Sequence, residues 1–299
     1  MTKSVPFDPT TRCTERDLKD VWKPYAFAEH REERDAIFGR TEEEYLIANT
    51  EREDTLERRD CIRVFKAINF ANYNGQILNA MLTVNWHESG YKLLEETDGA
   101  YRKFMNRLEK FMAYRNVPNH YYTVFENSGP RGVHSHICLH VPNRIGTEFR
   151  AWAALSLVDV LGKPMPRGQF HIGIYEEEYI YAQWQHFKYC MKGLNPYPVT
   201  EEWELSGDNR GWAKKLLDIS YKWAGPLTFW ENDHVYTLQR VRIARALGPT
   251  KQARKKYKAP TLEYYQIYDD AQYRLGKRDR GEYETQLEQM TSSDDGWMY

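Results

Sequence analysis

The segment that most constrains this chain is residues 132–141, Gly-Val-His-Ser-His-Ile-Cys-Leu-His-Val. Successive side chains of a β-strand point to opposite faces of the sheet. The odd-numbered positions are apolar apart from one small serine, and they predict a face that packs on a core. The even-numbered positions place His134, His136, Cys138 and His140 on the other face. Two histidines at i and i+2 stand side by side, so their ring nitrogens can reach one ion.

A carboxylate lies close to this histidine pair in a predicted hairpin. Residues 121–126 form a strand-like run that ends at Glu126, and the composition of residues 127–132 is typical of a turn. The hairpin therefore places Glu126 beside His134 and His136. Two neutral nitrogens and one anionic oxygen, with coordination positions left open, suit a catalytic divalent ion. The alternative interpretation is a surface strand with scattered histidines.

A tyrosine and a lysine stand near the end of a helix predicted over residues 176–192. Tyr189 and Lys192 are three positions apart, so they share one helical face. A tyrosine near a metal ion, with an ammonium group beside it, has the groups needed to attack a phosphodiester. The neighbouring residues Tyr175, Tyr179 and Tyr181 have no lysine three positions later.

The pattern Glu-x7-His-x-His followed by Tyr-x-x-Lys resembles the HUH endonucleases, and most closely the rolling-circle replication initiators of plasmids, phages and small circular DNA viruses. The resemblance covers residues 79–195, with residues 81–86 as a loose match to a first family motif. It implies that Glu126, His134 and His136 hold Mg²⁺ or Mn²⁺. It also implies that Tyr189 becomes covalently linked to DNA and that Lys192 assists.

Two departures and the order of the motifs refine this resemblance. The residue between the histidines is usually hydrophobic in the family, and here it is Ser135. Gln185 occupies the position where two-tyrosine enzymes carry their second tyrosine, which favours single-tyrosine chemistry. The tyrosine follows the histidine pair, unlike in conjugative relaxases. The chain contains no Gly-x4-Gly-Lys-Ser/Thr motif, so neither a fused helicase nor a nucleotide cofactor is expected.

The function implied by the resemblance is site-specific nicking and joining of single-stranded DNA through a 5′-phosphotyrosine intermediate, which initiates rolling-circle replication. The expected partners are single-stranded or hairpin origin DNA and the host helicase and polymerase. Two alternatives stay open. One is a single-tyrosine HUH transposase, and the other is a non-catalytic nucleic-acid-binding protein on the same fold.

The secondary-structure pattern predicts an α+β HUH domain over residues 73–198. Strands are expected at 78–86, 121–126, 133–141 and 169–175, and helices at 98–114, 148–161 and 176–192. This βαββαβ order predicts a ferredoxin/RRM-like antiparallel sheet with two helices on one face and the histidines on the other, free face. A charged helical region (1–72), a basic, aromatic-rich region (199–268) and a flexible tail (269–299) are expected around it. Mixed charges in the first region are typical of a solvated helix face.

The distribution of charge favours contact with DNA in one segment only. The net charge is −1, but residues 238–259 contain eight lysines or arginines and no acid. This run resembles two short basic helices and favours phosphate contact over a plain solvated surface. The predicted DNA-binding residues are Thr83 and Asn85, which share a face of the first strand, and Arg240, Arg242, Lys251, Arg254, Lys255 and Lys256.

Other ligand sets and the location of the chain follow from composition. Adding Cys138 and His140 to the pair would give a closed zinc site, and His171 is a weak alternative ligand, whereas His186 is expected to be incidental. The mean hydropathy of −0.78 and the absence of a long apolar run predict no membrane association. Four widely spaced cysteines and no signal-peptide pattern predict reduced thiols and a cytoplasmic location.

Overall fold

The computed structural model describes residues 56–127, 132–164, 168–194, 227–231, 234–262 and 269–281. Predictions that concern residues 1–55, residues 195–226 and the tail beyond 281 lie outside these residues. The helices are α1 (Arg58–Tyr73), α2 (Leu94–Tyr114), α3 (Gly146–Leu161), α4 (Ile180–Met191), α5 (Pro249–Arg254) and α6 (Ala271–Asp279). The strands are β1 (Ala80–Asn85), β2 (Tyr121–Asn127), β3 (Val133–Leu139), β4 (Phe170–Ile174), β5 (Thr228–Glu231), β6 (His234–Thr237) and β7 (Val241–Ile243). Short 3-10 helices span Asn143–Ile145 and Arg245–Leu247.

Five strands form one antiparallel sheet in the order β4-β1-β3-β2-β7, and β5 pairs with β6 in a separate two-stranded sheet. The α+β class and the antiparallel sheet are confirmed. The elements from β1 to β4 succeed one another as strand, helix, strand, strand, helix, strand. The strand β7 lies where a basic helix was expected. That prediction is wrong for this half of the basic run, because residues 241–243 pair with the edge of β2.

One face of the sheet packs against α2 and α3. Alternate residues of β1, namely Ala80, Leu82 and Val84, have no exposed surface and contact this layer. The two helices contribute fully buried aromatic and aliphatic side chains to the same cluster (Phe104, Leu108, Phe149, Ala153, Leu157). Removal of apolar surface from water is the main stabilising contribution of such a layer.

The opposite face, which carries the histidines, is covered by α1 and α4 over β3, β2 and β7. The prediction of a free face is wrong there. The residues of α1 at positions 61, 64, 65 and 68 form an apolar stripe at helical spacing and are 0% exposed. The charged residues Arg59, Arg63 and Lys66 do face solvent, as predicted. The pattern of charges did not indicate the apolar stripe of α1, which lies between these charged residues.

Part of the histidine-bearing face stays uncovered over β1 and β4. Thr83 and Gly173 are half-buried there, and His171 is exposed. Tyr175 continues the pairing beyond β4, since its N–H donates to the Asn79 carbonyl at 3.0 Å, and its side chain is 47% exposed. We refer to Thr83, His171, Gly173 and Tyr175 as the open strip. It lies next to the predicted metal ligands.

The described helices include none that is long and apolar enough to cross a membrane. The three cysteines in the described part of the chain, Cys61, Cys138 and Cys190, are free and buried.

Candidate functional site

The register of the β2–β3 hairpin brings the three predicted ligands together. Glu126 pairs directly with His134, and His136 follows two residues later on the same face. One ligand atom from each residue lies within 4.8 Å of the other two. Glu126 Oε2 is 3.3 Å from His134 Nε2 and 3.6 Å from His136 Nε2. Glu126, His134 and His136 can therefore hold a metal ion.

The second nitrogen of each imidazole is held by a neighbouring oxygen. His136 Nδ1 lies 2.9 Å from Thr83 Oγ1, and His134 Nδ1 lies 3.3 Å from the Gly132 carbonyl oxygen. Because a carbonyl oxygen only accepts hydrogen bonds, His134 Nδ1 carries the hydrogen. In the neutral ring, Nε2 then presents a lone pair to the cluster. Contacts of this kind orient the imidazoles that bind metals.

The protonation of the cluster suits a cation. Burial lowers the pKa of His136 to about 4, despite the opposing effect of the Glu126 carboxylate. His136 is therefore neutral near pH 7, which is the form that binds metals. Its Nε2 is buried and has no hydrogen-bond partner in the part of the chain that the structure describes. A buried nitrogen without a donor fits a bound cation better than a purely structural histidine.

Lys192 makes a buried ion pair with the same carboxylate. Its Nζ donates to Glu126 Oε1 at 2.5 Å and to Oε2 at 2.7 Å. Only 8% of Lys192 and 5% of Glu126 is exposed. Burial alone raises the pKa of Glu126, but the contacts with His134 and His136 and the charge of Lys192 hold it well below its usual value. A divalent ion that binds here must compete with the Lys192 ammonium group for the Glu126 carboxylate.

Tyr189 lies at the mouth of the cluster, in the last turn of α4. Its ring centroid is 5.0 Å from that of His136, with the two planes nearly perpendicular. Lys192 Nζ is 3.6 Å from the Tyr189 ring centroid. The tyrosine is 43% exposed, whereas the next two residues of the helix, Cys190 and Met191, are 1% and 0% exposed. Tyr189 is thus fixed beside the cluster while it stays accessible to a large ligand.

Two of the predicted DNA-binding arginines do not have the exposure that phosphate contact requires. Arg240 is 3% exposed, and its Nη1 donates to the Phe125 carbonyl oxygen at 3.2 Å. Arg242 forms a 2.6 Å ion pair with Asp98 of α2, on the face opposite the histidines. The prediction failed because residues 241–243 form β7, so these side chains point into the protein.

The exposed basic residues of the predicted set lie at the far end of the sheet. Lys251, Arg254, Lys255 and Lys256 are exposed on or just after α5. Lys255 Nζ donates to Asn74 Oδ1, directly after α1, and the charge of Lys255 contributes to lowering the pKa of His120, which precedes β2. Glu126 stands near the other end of β2, about 20 Å away at the usual rise per residue. Phosphate contact by α5 stays a prediction, and it concerns nucleotides distant from the cluster.

The remaining sequence candidates have structural roles or lie apart from the cluster. Thr83 supports His136, and Asn85 is 7% exposed, with its Oδ1 accepting from the Glu88 N–H. The soft zinc site does not form, because Cys138 Sγ lies against Cys190 Sγ at 3.8 Å and His140 Nδ1 against the Ile77 carbonyl. Also outside the cluster are His171, exposed on β4, and His186, buried with its ring 5.5 Å from that of Tyr175.

The ion pair between Lys192 and Glu126 was missed by sequence reasoning. The two residues are 66 positions apart, and nothing local in either segment indicates the contact. The signals that Lys192 belongs to the site were its helical spacing from Tyr189 and the resemblance of Tyr-x-x-Lys to the family motif. No protein family, curated protein or solved structure matches this chain.

Proposed function

We propose that this chain is a metal-dependent enzyme of the HUH type that nicks and joins single-stranded DNA to initiate rolling-circle replication. The observation that carries the proposal is the position of Tyr189 and Lys192 against Glu126, His134 and His136. The strand order β4-β1-β3-β2, with the histidine pair on the central strand β3, supports the ferredoxin-like topology of that class. We further propose that the ion is Mg²⁺ or Mn²⁺, because the ligand set is one oxygen and two nitrogens with positions left open.

When bound, a divalent ion supplies polarisation of the scissile phosphate and neutralises its charge. The Tyr189 oxygen forms a bond to phosphorus, and the bond from phosphorus to the 3′-oxygen of the upstream nucleotide breaks. The phenolic proton leaves, and the departing 3′-oxygen takes up a proton. The products are a 5′-phosphotyrosine and a free 3′-hydroxyl, which a host polymerase can extend.

Lys192 has two roles in this scheme. While Glu126 is free of metal, the ammonium group keeps the buried carboxylate neutralised. Once released from Glu126, it remains beside the Tyr189 ring, where it stabilises negative charge on the phenolic oxygen and on the phosphate. The phosphotyrosine retains the energy of the phosphodiester, so reversal rejoins strands without a nucleotide cofactor. A host helicase would unwind the template.

A second candidate function is non-catalytic binding of nucleic acid on the same fold. The observation that favours it is the buried Lys192–Glu126 pair, which balances the charge of the cluster without any metal. Transposition by a single-tyrosine HUH enzyme uses the same strand chemistry, so it differs from the first proposal only in the DNA ends that are joined.

The test is incubation with pooled single-stranded oligonucleotides and Mn²⁺, followed by denaturing electrophoresis. A covalent protein–DNA band is expected from the native chain, and excess chelator should remove it. Tyr189→Phe should abolish the band, because only the hydroxyl is lost. Tyr114→Phe is the control, since Tyr114 is also exposed (77%) but lies on α2, on the opposite face of the sheet. An adduct on another residue, an adduct through a 3′-phosphate or full activity in chelator contradicts the mechanism. Binding without an adduct supports the second candidate.

A further inference from the structure

Exposed aromatic side chains concentrate on one side of the site. Of the six large hydrophobic residues that are exposed in the described part of the chain, four are tyrosines between residues 175 and 189. Tyr175, Tyr179 and Tyr181 are 46–48% exposed. The ring centroids of Tyr175 and Tyr179 are 6.0 Å apart, and those of Tyr179 and Tyr181 are 5.9 Å apart. The three rings form a continuous row between the end of β4 and the start of α4.

This row is continuous with the open strip beside the metal cluster. Tyr175 and His171 lie on the same face of the β4 edge, with Gly173 between them. A Cβ placed on Gly173 would be 3.7 Å from Tyr175 Cε2 and 4.0 Å from His171 Cε1, so the two rings flank a floor that has no side chain. His171 pairs with Thr83, and Thr83 pairs with His136. His171 is therefore two strands, or roughly 10 Å, from His136.

The charges around the row disfavour phosphate groups. Residues 176–178 are glutamates, and two of them are engaged by other residues. Glu177 accepts a hydrogen bond from the Asn143 N–H, and Glu178 accepts from Lys277 and Tyr273. Acidic groups beside exposed rings repel a nucleic-acid backbone, but they leave the ring faces available to uncharged ligands. The uncharged part of a nucleic acid is its bases.

We propose that Tyr175, Tyr179 and Tyr181 form a stacking platform for bases of the single-stranded DNA whose phosphate Tyr189 attacks; Tyr181 lies eight residues, or about 12 Å, along α4 from Tyr189. This inference rests on the proposed function and assigns the surface that holds the substrate strand. Aromatic rings stack on any base, so such a platform binds without strong sequence preference. It also selects single strands, because the base faces in a duplex are already stacked. Phosphate contacts are made elsewhere, and α5 is the predicted place.

The experiment measures equilibrium binding of a fluorescently labelled single-stranded oligonucleotide by anisotropy. All variants carry Tyr189→Phe, so that no cleavage occurs. Tyr175→Ala and Tyr179→Ala should each weaken binding about tenfold, and substitution by Trp should restore it while Leu should not. Tyr114→Ala is the matched control, because Tyr114 is 77% exposed on α2, the helix on the opposite face of the sheet.

Salt dependence separates stacking from phosphate contact. The tyrosine variants should lose affinity equally at all salt concentrations, whereas Lys255→Gln with Lys256→Gln should reduce the slope of affinity against salt. Any of four results overturns the platform. Tyr175→Ala and Tyr179→Ala bind as tightly as the parent protein, Tyr114→Ala loses as much affinity as they do, leucine restores binding fully, or the parent protein does not bind. If the native chain forms the covalent adduct but binding does not depend on Tyr175 and Tyr179, the nicking function stands and the platform fails. If binding depends on these two tyrosines but the native chain forms no adduct, the platform stands and nicking is refuted.

Discussion

Lys192→Met tests whether an internal ammonium group competes with metal for Glu126. Methionine keeps a long, flexible side chain and removes the charge. In the structure, Lys192 Nζ lies 2.5 Å and 2.7 Å from the two carboxylate oxygens, and both residues are buried. A divalent ion must displace this contact before it can bind Glu126. Loss of the lysine should therefore increase the affinity for metal and lower the stability of the metal-free protein.

The magnitude follows from the burial of the pair. A hydrogen bond to a charged group contributes about 1.5–3 kcal/mol net, so Mn²⁺ should bind the variant about ten- to a hundredfold more tightly. Without metal, Glu126 keeps its contacts with the two histidines but loses its buried cationic partner, which costs about 3–5 kcal/mol of the free energy of unfolding. Because a ligand that binds only the folded state stabilises it, Mn²⁺ should raise the melting temperature of the variant more than that of the native chain.

Two measurements check this prediction. Isothermal titration calorimetry gives the Kd for Mn²⁺, and thermal unfolding with and without Mn²⁺ gives the shift in melting temperature. Lys251→Met is the control, because Lys251 is exposed on α5, far from the cluster. Equal or weaker Mn²⁺ affinity in Lys192→Met, together with an unchanged melting-temperature shift, would refute the competition between Lys192 and metal.

Two further predictions concern a supporting hydroxyl and a buried histidine. Thr83→Val removes the hydroxyl beside His136 Nδ1, so Mn²⁺ affinity measured by calorimetry should fall about 10–100-fold. Thr83→Ser keeps the hydroxyl and should retain the affinity. An unaltered Kd in the valine variant contradicts the role of Thr83 in orienting His136. Burial, with the charges of His140 and Lys255, lowers the pKa of His120 from 6.5 to about 4. The unfolded chain then binds more protons than the folded chain in this window, so stability is lost as the pH falls from 6.5 towards 4, by up to about 1.4 kcal/mol per pH unit. In chemical denaturation, His120→Gln should flatten the dependence of the free energy of unfolding on pH, while the control variant His171→Gln, at an exposed site, should not. Identical slopes in the native chain and both variants would show that His120 is not responsible.

The features that could be predicted from the sequence are those that depend on local periodicity. Alternation along residues 133–141 identified the strand and separated its core face from the face that carries His134 and His136. The short turn before it fixed which carboxylate stands opposite His134, because a hairpin pairs residues symmetrically about its turn. Helical spacing then placed Tyr189, in the last turn of α4, on the same side as Lys192, which directly follows the helix. Each of these inferences needs only neighbours in the sequence.

The features that were missed depend on contacts between distant segments. Packing of α1 over the histidine-bearing face joins residues such as Cys61 and Met191, which are 130 positions apart. The addition of β7 to the sheet depends on the free edge of β2, so a basic run with helical propensity becomes a strand. Arg242 pairs with an aspartate 144 positions away. Local propensity is weak in such segments, and tertiary contacts determine the structure.

The anchoring of the last turn of α4 has a consequence for the timing of strand exchange. Met191 Sδ lies 3.2 Å from Cys61 Sγ, and Cys190 Sγ lies 3.8 Å from Cys138 Sγ, so the backbone that carries Tyr189 is held on two sides. These contacts do not involve the Tyr189 side chain, so rotation about its own bonds can still move the phenolic oxygen. On the proposed mechanism, the tethered 5′ end therefore waits in one place after cleavage. The rate of rejoining is then set by the return of a 3′-hydroxyl to that place. A second strand is joined only if its 3′-hydroxyl reaches the phosphotyrosine before that of the original strand returns.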